Sequence, residues 1–290
     1  MAASLPRIGV ALGGGGARGL AHIPYIEALD EMGLGPSIIA GTSIGALIGA
    51  GWASGMSGRD LREHAQRVLG TMQEIAGRLW TTGRRNFKDL MEEGISIQVD
   101  ARNIVEAFLP DAFPDDFSAL SIPLNTVATD FYGWEQVVFA SGPLRQAIAA
   151  SLAIPSLFRP VHFNDRFYID GGVTNPLPLD RAKSGGDVVI GIDVNGVPPG
   201  EPSKGEPNPI DVGLVATQIM TEAMVRHALA LHAPDIYVHA PVKGVRVLEF
   251  WRVREIIAQA ELDKDAFKRS VEKCVEAFVN HGTRRGDGAQ

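Results

Sequence analysis

Two short apolar runs, Arg7–Leu12 and Pro36–Ala40, each lead into a glycine-bearing turn and then into a helical pattern. That order constrains the chain strongly, because parallel strands need a crossover of a dozen or more residues, usually a helix. The first turn is Gly13-Gly14-Gly15-Gly16-Ala17-Arg18-Gly19 and the second is Gly41-Thr42-Ser43-Ile44-Gly45. Between them, Ala17–Met32 carries Ile23, Ile26 and Leu29 at helical spacing and is closed by Gly33 and Gly35. Gly45–Gly55 reads as a helix of small residues packed close to its neighbours. The expected fold class is α/β with a largely parallel sheet.

The pattern changes after Arg59. Leu61, Val68, Met72, Ile75 and Leu79 recur at helical spacing, followed by basic Arg84, Arg85 and Lys88 and an irregular stretch around Pro110 and Pro114. Residues 59–120 read as a helical insertion or cap. Ile122–Thr129 and Glu135–Phe139 read as strands joined at Tyr132-Gly133, and Ala147–Ile154 as a helix stopped by Pro155. Two short strands turning at Asn164-Asp165 deliver Asp170, and Asp187–Val194 is an apolar late strand. Residues 197–209, rich in Pro and Gly, read as a linker or mobile loop. Helices follow over Asp211–Leu231 and from Phe250 onward, with a short strand at Ile236–His239 and a disordered tail from Gly282. A core over 1–196 with a C-terminal helical region over 210–290 packed on it is the expected organisation.

Composition narrows the function classes. With 45% hydrophobic residues in 290, the chain can bury a substantial core. Its formal charge of −7 argues against nucleic acid as the main partner. Cys274 is the single cysteine, so an intrachain disulfide and a cysteine metal site are both excluded, and a reducing cytoplasmic setting fits. The first ten residues lack a signal-peptide pattern, and the longest apolar stretches fall short of a spanning helix. Membrane contact, if made, is expected to be peripheral. No cluster has metal-ligand spacing, and no cofactor is expected.

Ser43 between flanking glycines, after a strand and before a helix, has the pattern of a nucleophile elbow. The same residue also suits plain helix capping. Gly14-x-Gly16-x-x-Gly19 matches a dinucleotide fingerprint, but the second strand ends in Ala40-Gly41-Thr42-Ser43 without the acidic residue that holds a ribose. Unencumbered glycine amides suit an oxyanion hole better, since acyl transfer develops charge on a carbonyl oxygen. Arg18 either braces this loop or faces solvent. Asp170, in Asp170-Gly171-Gly172, is a candidate base, although Asp-Gly is equally a hairpin signal. His227, His232, His239 and His281 follow Asp170 in α/β-hydrolase order, yet each reads as a surface or packing residue. That fold also sets several strands ahead of its nucleophile, whereas two precede Ser43.

Gly14-Gly15-Gly16-Ala17-Arg18-Gly19, Gly41-Thr42-Ser43-Ile44-Gly45 and Asp170-Gly171-Gly172, in this order, resemble the patatin-like phospholipase family, compact bacterial members above all. Gly19-Leu20-Ala21-His22 and Ala149-Ala150-Ser151-Leu152-Ala153-Ile154-Pro155 fit as well, so the resemblance covers Ile8 to about Asp193. It implies a three-layer α/β/α fold and a serine–aspartate dyad: Ser43 as nucleophile, Asp170 as general base, and the amides of Gly14, Gly15 and Gly16 as oxyanion hole. The implied activity is hydrolysis of acyl esters of lipids or lysophospholipids without metal or cofactor. In the cap, Met72, Ile75, Leu79, Trp80, Phe87, Leu90 and Met91 are candidates for an acyl groove, and Arg78, Arg84, Arg85 and Lys88 for a phosphate. A catalytically silent regulatory or scaffold protein on the same fold is the alternative.

Overall fold

The computed structural model describes residues 5–70, 99–110, 113–155, 157–196 and 209–286. Its strands are β1 (Ile8–Leu12), β2 (Ile38–Thr42), β3 (Val99–Asp100), β4 (Leu124–Asp130), β5 (Glu135–Phe139), β6 (Phe158–Arg159), β7 (Val161–Phe163), β8 (Arg166–Asp170), β9 (Val188–Asp193) and β10 (Ile236–His239). Eight of them form one sheet of order β10-β9-β1-β2-β4-β8-β7, with β5 also on β4, while β3 and β6 pair separately. Pairings among β10, β9, β1, β2 and β4 are parallel. Those of β4 with β5 and β8, and of β8 with β7, are antiparallel.

One register detail positions everything below. Thr126 pairs with both Gly41 of β2 and Phe139 of β5, and Ala128 with both Val137 of β5 and Asp170 of β8. β5 therefore occupies one edge of β4, and β2 and β8 follow one another along the other. The changeover falls between Val127, opposite Thr42, and Ala128, opposite Asp170.

The two faces of the sheet are unequal. Ile8, Val10, Leu12, Ile39, Ile190 and Ile192 point to the thicker layer. There they meet α1 (His22–Glu31), α2 (Ile44–Ala53), α3 (Gly58–Leu69) and the helices Leu144–Ser151, Val253–Glu261 and Lys264–Gly286. The opposite face carries Ala11, Ala40 and Val189 under the helices Leu179–Lys183 and Pro209–Leu231. Strand residues alternate faces, so each strand contributes to both layers. The result is a three-layer α/β/α arrangement.

Most expected elements are found within a few residues of their sequence bounds. The helix expected from Ala17 starts instead as a 3-10 turn, Gly16–Ala21, before α1 begins at His22. Gly16 has φ +58° and the Ala17 N–H is drawn to the Val247 C=O, which tightens this first turn. The expected insertion opens as a core helix: α3 has a Ser57/Asp60 capping box and buries Leu61, Ala65, Val68 and Leu69 in the main cluster. Its acyl-groove and phosphate candidates, Met72 through Met91, lie outside the described residues, as do residues 197–208 of the expected linker. The C-terminal helices contribute Val253, Ile257, Phe267 and Val271 to the main core, with Tyr25 edge-on to Phe267 at 5.2 Å. Phe278 is exposed, and the last helix continues past Gly282, where a disordered tail is expected, to Gly286.

Candidate active site

Ser43 stands at the C-terminal end of β2, immediately before α2, with φ +55° and ψ −125°. A non-glycine residue at positive φ is strained, and such strain persists where the surroundings over-determine it. Here they do. A Cβ at Gly45 would lie 2.2 Å from the Leu12 carbonyl oxygen, and one at Gly41 2.6 Å from the Ala46 Cα. Only glycine lets α2 pack down onto β1 and β2 this closely, and the turn lifts the Ser43 hydroxyl into the cleft. The hydroxyl makes no capping bond to α2. It donates instead to Asp170 Oδ2 at 2.6 Å.

Asp170 ends β8 and is followed by a 3-10 turn, Gly171–Val173, not by a hairpin. The hairpin turn of this region is Asn164-Asp165, where both residues have positive φ. Asp170 Oδ1 accepts the Gly172 N–H at 2.7 Å, and the Asp170 N–H donates to the Ala153 C=O at 2.9 Å. No cation pairs with the carboxylate among the described residues. Burial therefore dominates, pushing its pKa up to about 6 against the lowering pull of the Ser43 hydroxyl and the Gly172 N–H.

The glycine loop lies against this pair. A Cβ at Gly14 would stand 3.4 Å from the Ser43 Cβ, and Gly14, Gly15, Gly16, Ser43 and Asp170 all line one cleft. The expectation of three free amides needs correction at one position: the Gly14 N–H donates to the Pro176 C=O at 2.9 Å. The N–H groups of Gly15 and Gly16 have no hydrogen-bond partner among the described residues. Arg18 is buried beside them, not solvent-exposed, and its Nη1 donates to the Val245 C=O at 3.2 Å. Burial lowers the pKa of its guanidinium, with the charge of Asp193 opposing.

The cleft lining mixes apolar residues, including Ile154, Pro155, Leu214 and Val247, with the polar residues Arg18, Asn195, Gln218 and Thr221. No histidine lines it among the described residues. His239 pairs its Nδ1 with Asp193 Oδ2 at 3.1 Å, where the Tyr237 hydroxyl also donates at 2.9 Å. His227 is exposed, His232 is half-buried, and the His281 side chain is outside the described residues. The braces that sequence reasoning missed are mostly backbone groups. Pro176 holds Gly14, Val247 holds Ala17, and Asn175 C=O accepts the Thr42 hydroxyl at 2.8 Å. A carbonyl acceptor leaves no mark in residue type, so no sequence signal marks these positions.

Comparison with known proteins gives the family of the chain. The family model for patatin-like phospholipase matches residues 10–183. An uncharacterized NTE family protein of Mycobacterium tuberculosis is 36% identical over 208 residues, covering 71% of this chain and 54% of the relative. Lysophospholipase nte1 of Aspergillus fumigatus is 28% identical over 274 residues, 86% of this chain but 17% of the relative. The chain thus spans about half, or much less, of the length of these relatives. Among solved structures, human GIVD cytosolic phospholipase A2 superposes with a TM-score of 0.47 at 14% identity, covering 94% of this chain and 60% of that one. The family model covers more than half the chain and both of its paired residues, Ser43 and Asp170, and the chain belongs to the patatin-like phospholipase family.

Proposed function

We propose that the protein is a serine acyl hydrolase acting on carboxylic esters of lipids or lysophospholipids. The observation that carries this reading is the 2.6 Å hydrogen bond from the Ser43 hydroxyl to the buried Asp170 carboxylate. Asp170 takes the proton as Ser43 Oγ attacks the ester carbonyl, and the Gly15 and Gly16 N–H groups receive the oxyanion. Collapse of the tetrahedral intermediate breaks the ester C–O bond, and Asp170 returns its proton to the departing alcohol. Water, deprotonated by Asp170, then attacks the acyl-serine; the Ser43 Oγ–acyl bond breaks, Asp170 returns the proton to Oγ, and the fatty acid leaves. A carboxyl at its ordinary pKa is a weak base, so the upward shift from burial favours the first transfer. The cleft's mixed apolar and polar lining suits a substrate that carries both an acyl chain and a polar group.

The same reading includes contact with a lipid surface. The helix Pro209–Leu231 follows β9 and turns Leu214, Thr217, Gln218 and Thr221 into the cleft. Val212, Val215, Ile219 and Met220 are each more than half exposed, and Val212–Thr221 holds no ionisable side chain. This uncharged apolar face lies on the side of the helix turned away from the cleft residues, and it suits contact with a zwitterionic lipid surface. None of the described helices is long and apolar enough to cross a membrane.

Labelling with a fluorophosphonate, followed by peptide mapping, tests the assignment without requiring the right lipid. Modification is expected at Ser43 and is lost in Ser43→Ala. Hydrolysis of p-nitrophenyl esters is expected to fall at least about a thousandfold in Ser43→Ala and Asp170→Asn. A folded native protein that neither labels nor hydrolyses any ester supports the silent scaffold instead.

A further inference from the structure

The segment Ala149–Pro155 takes no part in the chemistry proposed above, yet it holds both members of the reacting pair. The Ser151 side chain is fully buried. Its Oγ accepts the Ser43 N–H at 2.8 Å and donates its own proton to the Val127 C=O at 2.6 Å. The direction of both bonds is unambiguous, because an amide N–H only donates and a carbonyl only accepts. Two residues later, the Ala153 C=O accepts the Asp170 N–H.

These bonds fall where one partner strand gives way to the next. The β2–β4 ladder ends at Thr42 opposite Val127, and β8 takes over at Asp170 opposite Ala128. The Val127 carbonyl faces this changeover, since a Cβ at Gly171 would sit 2.2 Å from its oxygen. A left-handed residue here cannot continue the ladder, and its buried N–H still needs an acceptor. Ser151 supplies that acceptor and satisfies the Val127 carbonyl with the same hydroxyl.

We infer that Ser151 is a positioning residue: its hydroxyl is spliced into the β2–β4 ladder and holds the strained Ser43 backbone so that Oγ faces Asp170. The hydroxyl acts as a one-atom spacer between strands, and the Ala153 carbonyl holds the base from the same segment. The distance from nucleophile to base is then set by one short stretch of chain. This inference rests on the reading of Ser43 and Asp170 as the reacting pair.

The test compares the native protein with Ser151→Ala, Ser151→Cys and Ser43→Ala. Each is assayed for p-nitrophenyl ester hydrolysis, fluorophosphonate labelling rate and pH profile, with circular dichroism as the check of folding. Ser151→Ala is expected to lose about 100-fold in kcat, because sub-ångström placement of a nucleophile controls its rate, while KM stays within about twofold. Its acid limb is expected to move to higher pH, since the Ser43 hydroxyl that lowers the Asp170 pKa no longer points at it squarely. A residue with a purely structural role would not move that limb. Ser151→Cys, near-isosteric but a weak donor and acceptor, is expected to show the same changes at about a tenth of the size. If the alanine variant does not fold, the cysteine variant decides alone. Native kcat and a native acid limb in a folded Ser151 variant overturn the inference. A Ser43→Ala protein as active as native overturns the underlying reading, and the inference with it.

Discussion

Asp170 divides its two carboxylate oxygens, giving Oδ2 to the Ser43 hydroxyl at 2.6 Å and Oδ1 to the Gly172 N–H at 2.7 Å. One oxygen is thereby held still while the other faces the proton it is to accept. Both bonds favour the ionised form, but burial outweighs them and holds the pKa at about 6. The base works only when unprotonated. kcat/KM for an uncharged ester is therefore expected to rise about tenfold per pH unit below about 6 and to level off above it. A profile flat down to the ordinary aspartate range would contradict a buried carboxylate base.

The same shift has a stability consequence of opposite sign to the usual carboxylate. A folded-state pKa of about 6, above the unfolded value of 3.8, means that ionised Asp170 opposes folding at neutral pH. That opposition disappears as pH falls through the folded pKa. Asp170→Asn keeps an oxygen for the Gly172 N–H and removes the buried charge. It is expected to raise the unfolding free energy at pH 7.5 by about 2 kcal/mol while abolishing activity. Urea denaturation measures this, and an asparagine variant less stable than native would speak against a charge held at a cost.

A separate ion network ties the helical layer together. Arg62 of α3 donates from Nε to Glu27 Oε1 of α1 at 2.6 Å and from Nη2 to Glu261 at 2.8 Å. Lys264 reaches Glu31 at 2.7 Å and Glu27 at 3.3 Å. Burial pushes the Glu27 carboxyl up, but Arg62 and Lys264 outweigh it and hold the pKa below the usual glutamate value. Arg62→Ala is expected to cost about 2 kcal/mol at pH 7, less than a fully buried pair because Arg62 keeps contact with water. The cost should shrink as pH falls through the Glu27 pKa, where the native pair also loses its charge. Equal urea midpoints for variant and native protein at pH 7 would remove this network from the account of stability.

Ile219→Ser with Met220→Ser is expected to weaken binding to phosphatidylcholine vesicles about tenfold, from the apolar area withdrawn. Hydrolysis of a water-soluble ester should change little, because neither side chain lines the cleft. Sedimentation with vesicles measures the first quantity. Native protein that does not sediment, or a variant that sediments equally, excludes this face as the lipid contact.

The chemistry-bearing residues were legible because their constraints are local. Gly41 and Gly45 flank Ser43 within one turn, so the close approach of α2 to β1 is written in residue type. Asp170 was identifiable through a motif, but its ambiguity with a hairpin turn was resolved by the 3-10 turn that follows it.

The amino-acid order by itself determined the βαβ unit, the elbow at Ser43 and the identity of the two oxygen-bearing side chains, since each depends on neighbours a few positions away. Only the tertiary structure decided how those side chains meet, that the Gly14 amide is already engaged, and that Ser151 bridges two strands. The physical reason is that those partners are mostly backbone groups, or residues more than a hundred positions distant. A carbonyl oxygen is the same in every residue, and its placement is settled by strand register.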